Sequence, residues 1–293
     1  MTAVLMDGRT LASEMEEQMK EEVRRLRSSG IDPTLATILV GDDPASKVYV
    51  RSKHRAAERV GIKTVNFALP GSATEEELGL LIAGLNADPS VNGILLQLPL
   101  PGDLGARRMT DLIDPSKDVD GLTTANAGRL VYGESDLVPC TPRGVMELLH
   151  HYGVKIKGSH VVIINRSTLV GKPLHHLLLN EDATVTVCHS KSEGLPSMAQ
   201  HADILITAVG RKPGFSVTAD MVKEGAVVVD VAMNRVGGKL SGDVDFDEVS
   251  AKASLITPVP GGVGPMTVTM LMKNTLIAAA KQHKTVVRTV AHG

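Results

Sequence analysis

The feature that most limits what this chain can fold into is an alternation. Short runs of β-branched and aliphatic residues are separated by amphipathic stretches of helical length, the pattern of parallel α/β structure. A first series has runs at residues 35–40 (LATILV), 63–69 (KTVNFAL) and 92–101 (NGILLQLPLP). Residues 10–29 set Leu11, Met15, Met19, Val23 and Leu26 on one helical stripe that stops at Gly30. A second helix carries Tyr49 and Lys53 and stops at Gly61, and a third spans residues 74–88. The second series opens with a helix over 140–153, with Pro142 in its first turn. Five runs follow, at 160–165, 183–190, 202–210, 225–234 and 254–262, with a helix over 171–180 after the first. Five such runs separated by helical lengths read as a Rossmann-type sheet. The expected fold is therefore α/β in two domains, with a cleft between them as the default binding site. The first is a three-layer α/β domain over residues 1–139, completed by a C-terminal helix over 270–293. The second is a Rossmann-type domain over 140–269.

Composition closes off several function classes. The 293 residues are 43% hydrophobic and 22% charged, which suits a core-forming protein, and the formal net charge is −2. Without a basic field, neither nucleic acid nor an anionic membrane is an expected partner. There is no tryptophan, and three Tyr and three Phe give no stacking platform for single strands. No apolar run approaches the roughly 20 residues of a membrane span, and the N-terminus lacks the basic and apolar segments of a signal peptide. Cys140 and Cys188 alone frame neither a disulfide scaffold nor a zinc site, so no metal is expected and the cytoplasm is the expected compartment.

Four stretches carry chemistry. Tyr49 and Lys53 lie one helical turn apart on one face. Gln97 ends the third run, at the carboxyl edge where α/β sheets bind ligands. Asp118 and Asp120 stand two apart in KDVDGL, and PVPGGVGPMT at 258–267 lets backbone approach a ligand closely. Cis bonds at Leu98-Pro99 or Val259-Pro260 would suit such tight loops. Residues 160–179 have the strand–turn–helix layout of a dinucleotide loop, with Gly171 but without the G-x-G-x-x-G spacing. The next run ends Cys188-His189-Ser190-Lys191, not in a carboxylate for a ribose hydroxyl; with Arg166, that favours a 2′-phosphate and hence NADP over NAD. Each feature alone has a plainer reading: a solvated lysine, a strand cap, a turn-ordering aspartate, a simple loop. Tyr-x-x-x-Lys is also the signature of short-chain dehydrogenases, but there the nucleotide loop precedes the pair, and here it follows by over a hundred residues.

Taken in order and spacing, VGDDPASKVYVRSK, QLPLP, IDPSKDVDGL, PCTPRG, NRSTLVGKP and PVPGGVGPMT resemble the bifunctional methylenetetrahydrofolate dehydrogenase/methenyltetrahydrofolate cyclohydrolase family, from about residue 5 to residue 280. The resemblance implies NADP-dependent oxidation of 5,10-methylenetetrahydrofolate and hydrolysis of the methenyl product to 10-formyltetrahydrofolate. It also implies a cytoplasmic homodimer, paired through the edge of the Rossmann sheet and serving purine biosynthesis. On this sequence it makes Lys53 the catalytic lysine, with Tyr49 beside it in the folate pocket, Gln97 orienting it and Asp120 holding the pterin. Leu98, Pro260, Gly261, Gly262 and Thr267 would line the folate and nicotinamide site, and Arg166, Ser167 and Ser190 would meet the phosphates. Hydride departure needs alignment, whereas water addition to the resulting cation needs proton management. A free lysine is too basic for that, so Lys53 should be partly desolvated.

Two positions depart from the family pattern. Asn165 stands where the family usually has glycine, and Asp230-Val231-Ala232-Met233-Asn234 replaces D-V-G-I-N, so Asn165 and Met233 would give the cofactor a bulkier lining. Two other readings stay open here: a two-lobed dehydrogenase of the shikimate kind, and a folate binder without hydride transfer.

Overall fold

The computed structural model describes residues 2–290, with side chains through residue 283, so the end of the helix expected over 270–293 lies outside the described residues. The chain divides into two compact units, each made of two segments. One comprises residues 14–140 and 268–293; the other comprises residues 1–13 and 141–267. In chain order the elements begin β1 (Val4–Leu5), α1 (Gly8–Ser28), β2 (Thr34–Val40), α2 (Pro44–Val60) and β3 (Lys63–Leu69). There follow α3 (Glu75–Ala87), β4 (Gly93–Leu96), α4 (Ala106–Asp111), α5 (Thr124–Val131) and α6 (Cys140–His151). The second sheet supplies β5 (His160–Ile164), α7 (Gly171–Asn180), β6 (Thr184–Cys188), α8 (Leu195–Ala199), β7 (Ile204–Thr207) and β8 (Val227–Asp230). The chain ends with a hairpin of β9 (Asn234–Val236) and β10 (Lys239–Ser241), then α9 (Phe246–Ser250), β11 (Leu255–Ile256) and α10 (Val263–Val290).

The unit of residues 14–140 holds a parallel sheet ordered β3-β2-β4. The chain leaves β2 for one side and returns across it to β4, so right-handed crossovers put α2 and α3 on opposite faces. The result is three layers. Ala36, Ile38 and Val40 point to the α3 face, where they join Leu78, Ile82 and Leu85 in a buried cluster. Helix α2 has clear ends. The Asp43 carboxylate accepts the Ser46 N–H at 2.7 Å, and Pro44 occupies the first turn. At the other end Gly61 takes φ +88°, and the Ile62 and Gly61 N–H groups close back on Ala57 and Glu58 as a Schellman motif. Helix α3 opens with a capping box between Thr74 and Glu77. The late segment of α10 is part of this unit's core: Asn274 is buried and donates to the carbonyls of Val119 (2.8 Å) and Val138 (2.9 Å).

The other unit holds a six-stranded sheet ordered β1-β11-β8-β7-β5-β6, parallel throughout. Sequence reading finds five of these strands. The sixth is β1, which pairs Val4 with Leu255 and Leu5 with Ile256. Two residues carry no periodicity, so only the partner strand defines it. Val162, Ile164, Leu205, Val228 and Ile256 form the core beneath one sheet face.

Candidate active site

In the unit of residues 14–140, the chemistry converges on the carboxyl edge of the sheet. Lys53 projects from α2, one turn after the half-exposed Tyr49, and is itself partly buried. Its Nζ donates to Gln97 Oε1 at 3.0 Å. Gln97 directly follows β4 and is buried; its Nε2 donates to the Leu98 carbonyl at 2.6 Å, and its backbone N–H donates to Ile38. Anchoring the amide nitrogen on Leu98 leaves the amide oxygen to face the lysine. The Leu98-Pro99 bond is cis. A neutral acceptor thus orients the amine without placing an anion beside it. Burial, and then the charge of Lys53, hold the adjacent His54 imidazole below its ordinary range, so it adds no second cation at neutral pH.

The KDVDGL segment divides its labour. Lys117 is buried and donates to the carbonyls of Leu85 (3.0 Å) and Asp88 (2.7 Å), where α3 ends; burial lowers its pKa. Asp118 is buried and accepts the N–H groups of Leu122 (3.1 Å) and Thr123 (2.8 Å) and the Asn126 amide (2.9 Å). Burial nevertheless leaves its carboxyl above the usual range. Val119 packs beneath Gly93, where a Cβ would come within 2.5 Å of it. Gly121, at φ +68°, turns the chain. Asp120 is left half-buried, with no side-chain hydrogen bond among the described residues. Lys117 and Asp118 build the turn, and Asp120 remains available to a ligand.

The other expected residues lie in the other unit. Arg166, exposed after β5, has no acidic partner among the described residues. Ser167 Oγ accepts the Val170 N–H at 3.1 Å, so its own proton is free to donate. Ser190 is exposed beyond β6, and Met233 is 45% exposed beyond β8. A cation and two hydroxyls thus lie just beyond the ends of β5 and β6. The Asn165 side chain is turned into the chain, donating to the Ala208 carbonyl and accepting the N–H groups of Ser167 and Gly171. Loop 258–262 folds against the start of α1: Arg9 N–H donates to Gly261, and a Cβ on Gly8 would lie 1.9 Å from the Gly262 carbonyl oxygen. Val259-Pro260 is cis, Gly261 takes φ +116°, and the Thr267 and Thr141 hydroxyls are 3.0 Å apart.

Sequence reasoning missed a buried acid pair at the ends of β7 and β8. Asp243 accepts from Thr207 Oγ1, Asn234 Nδ2 and the Val209 and Gly210 N–H groups. Asp230 accepts the N–H groups of Ala232 and Val244. Its pKa is pushed up to about 6, chiefly by burial, with the charge of Asp243 adding to the rise. The one legible signal was a carboxylate at the end of an apolar run.

The chain is similar to known proteins over most of its length. Residues 6–120 match the model of the tetrahydrofolate dehydrogenase/cyclohydrolase catalytic domain, and residues 139–283 match that of its NAD(P)-binding domain. The bifunctional protein FolD of Nitrosopumilus maritimus is 52% identical over 280 residues, 96% of this chain and 98% of its own. The bifunctional methylenetetrahydrofolate dehydrogenase/cyclohydrolase of Campylobacter jejuni superposes with a TM-score of 0.92 at 48% identity, covering 95% of this chain and 99% of its own. The Trypanosoma brucei enzyme, solved with NADP and an inhibitor, gives a TM-score of 0.90 at 39% identity, covering 96% and 98%. Both domain models together span most of the sequence, and the chain belongs to the tetrahydrofolate dehydrogenase/cyclohydrolase family.

Proposed function

We propose that this protein oxidises 5,10-methylenetetrahydrofolate with NADP and hydrolyses the methenyl product to 10-formyltetrahydrofolate, supplying one-carbon units for purine biosynthesis. The observation that carries this reading is the Lys53–Gln97 pair, an amine held at 3.0 Å by a neutral amide at the edge of the sheet. The unit of residues 14–140 takes the folate, and the other unit takes the nucleotide. NADP supplies the hydride acceptor when bound. Tyr49 and Asp120 set the pterin so that the bridging carbon is aligned, a step that needs orientation more than proton transfer. In the hydrolytic half, Lys53 takes a proton from the water that adds to the methenyl carbon; the carbon–N5 bond then breaks as the lysine returns that proton to N5, and the carbinol proton leaves to solvent as the N10-formyl carbonyl forms. Leu98 lines the folate in the unit of residues 14–140, and in the other unit Pro260, Gly261, Gly262 and Thr267 line the nicotinamide, with Met233 against the cofactor. Arg166, Ser167 and Ser190 hold its phosphates. The protein works in the cytoplasm as a homodimer paired through the edge of the Rossmann sheet, which light scattering tests as a mass of twice the chain.

The test is a spectrophotometric assay with 5,10-methylenetetrahydrofolate, run with NADP and with NAD, following methenyl and reduced nucleotide separately. NADP-linked turnover without accumulation of methenyl is expected. Reduction of neither nucleotide would leave a cyclohydrolase or a binder. In the Lys53→Met variant, cyclohydrolase activity should fall at least about a hundredfold; full activity would remove Lys53 from the mechanism.

A further inference from the structure

We propose that Asn165 is a positioning residue that builds the floor of the nucleotide crevice from its own side chain, an inference that rests on the NADP reading above. The sheet order β7-β5-β6 means that the chain leaves β5 to one side and returns to the other. The loops after β5 and β7 therefore diverge there, at the switch point where such sheets bind ligands. Backbone pairing ends with Ile164 opposite Thr207 and an Ala208 N–H to Ile164 contact of 3.3 Å. Asn165 Nδ2 then donates to the Ala208 carbonyl at 2.6 Å, adding one more rung with a side chain where the ladder has run out.

The other end of the amide closes the start of α7. Asn165 Oδ1 accepts the Ser167 N–H at 2.7 Å and the Gly171 N–H at 3.0 Å. Val170 N–H goes to Ser167 Oγ and Lys172 N–H to the Ser167 carbonyl, while Pro173 has none. These donors at a helix N-terminus would otherwise be offered to an anion. Here the chain takes them itself, so the cofactor phosphates fall to the side chains of Arg166, Ser167 and Ser190. Gly171 completes the fit, since a Cβ there would lie 2.0 Å from the Asn165 carbonyl oxygen. A glycine at 165 would lose all three side-chain bonds, and the nucleotide would have to order the loop on binding, at a cost in affinity.

The test uses Asn165→Ala, which keeps the backbone stiff, and Asn165→Gly beside it. Hydrogen–deuterium exchange over residues 166–172 without nucleotide should quicken about tenfold in both variants. Calorimetric titration should show NADP binding weakened by about tenfold, with kcat of the dehydrogenase at saturating NADP within about twofold of the parent. Unchanged exchange would overturn the proposal. Tighter NADP binding would too, because the amide would then be competing with the phosphates. A parent protein that binds no NADP would instead defeat the functional reading, and the exchange experiment would still decide whether Asn165 holds the loop.

Discussion

Asp230 shows how one side chain can couple nucleotide-site architecture to pH. Its carboxyl titrates near 6 in the folded chain against 3.8, the ordinary aspartate value. Below 3.8 both folded and unfolded forms hold the proton, and the group is neutral to stability. Between 3.8 and about 6 the unfolded chain releases the proton while the folded chain keeps it, so stability falls as pH rises. Above 6 the loss is complete, about 3 kcal/mol for that gap. Asp230→Asn removes the titration but presents an amide NH₂ to one of the two N–H groups the carboxylate accepts. About 1 kcal/mol of that loss is already present at pH 4.5, so the variant is expected to be destabilised relative to the parent there and to recover by about 2 kcal/mol relative to it at pH 7.5. Urea unfolding at the two pH values measures this, and a parent–variant difference that does not move with pH would rule it out.

Among the elements, α10 is the one whose loss would be felt furthest from its own sequence. Asn274 is fully buried, and its amide serves the Val119 and Val138 carbonyls, the first lying inside KDVDGL. Asn274→Leu strips the amide donor from both carbonyls, leaving Val119 only the weak Cys140 Sγ–H contact at 3.4 Å, and should cost about 2–4 kcal/mol in urea unfolding; a cost below about 1 kcal/mol would mean the carbonyls find other partners. Much of this scaffold is readable from sequence. Strand 63–69 and helix 171–180 coincide with β3 and α7, and both anticipated cis bonds are present. Runs at 92–101, 202–210, 225–234 and 254–262 read longer than β4, β7, β8 and β11, because apolar composition continues past the last paired rung into the rim loops. The hairpin β9–β10 and the short helices α4, α5, α8 and α9 escape notice, since segments of three to eight residues draw their stability from tertiary contacts. At the site, Lys53 and Gln97 are legible because spacing and strand ends place them. That Asp118 is the buried partner of a turn and Asp120 the free one is not, because both sit in the same short motif and only the fold separates them.

For the whole molecule, neither unit is a continuous piece of chain. Residues 1–13 belong with 141–267, and residues 268–293 belong with 14–140. A fragment of residues 14–140 alone lacks Leu271, Met272, Asn274 and Leu276, all buried in the intact protein. It should show no cooperative urea transition, and fusing residues 268–290 through a flexible linker should restore one. A cooperatively folded 14–140 fragment would contradict this.

The same interleaving bears on how the protein is made. The strand Val4–Leu5 is made roughly 250 residues before its partner Leu255–Ile256. At about 5–20 residues per second, that is roughly 12 to 50 seconds with one edge of a growing sheet unpaired. The first unit likewise waits for α10. Neither unit can be completed until its distant closing segment has been made, so the nascent chain carries unpaired apolar surface over that interval and has reason to be held by chaperones meanwhile.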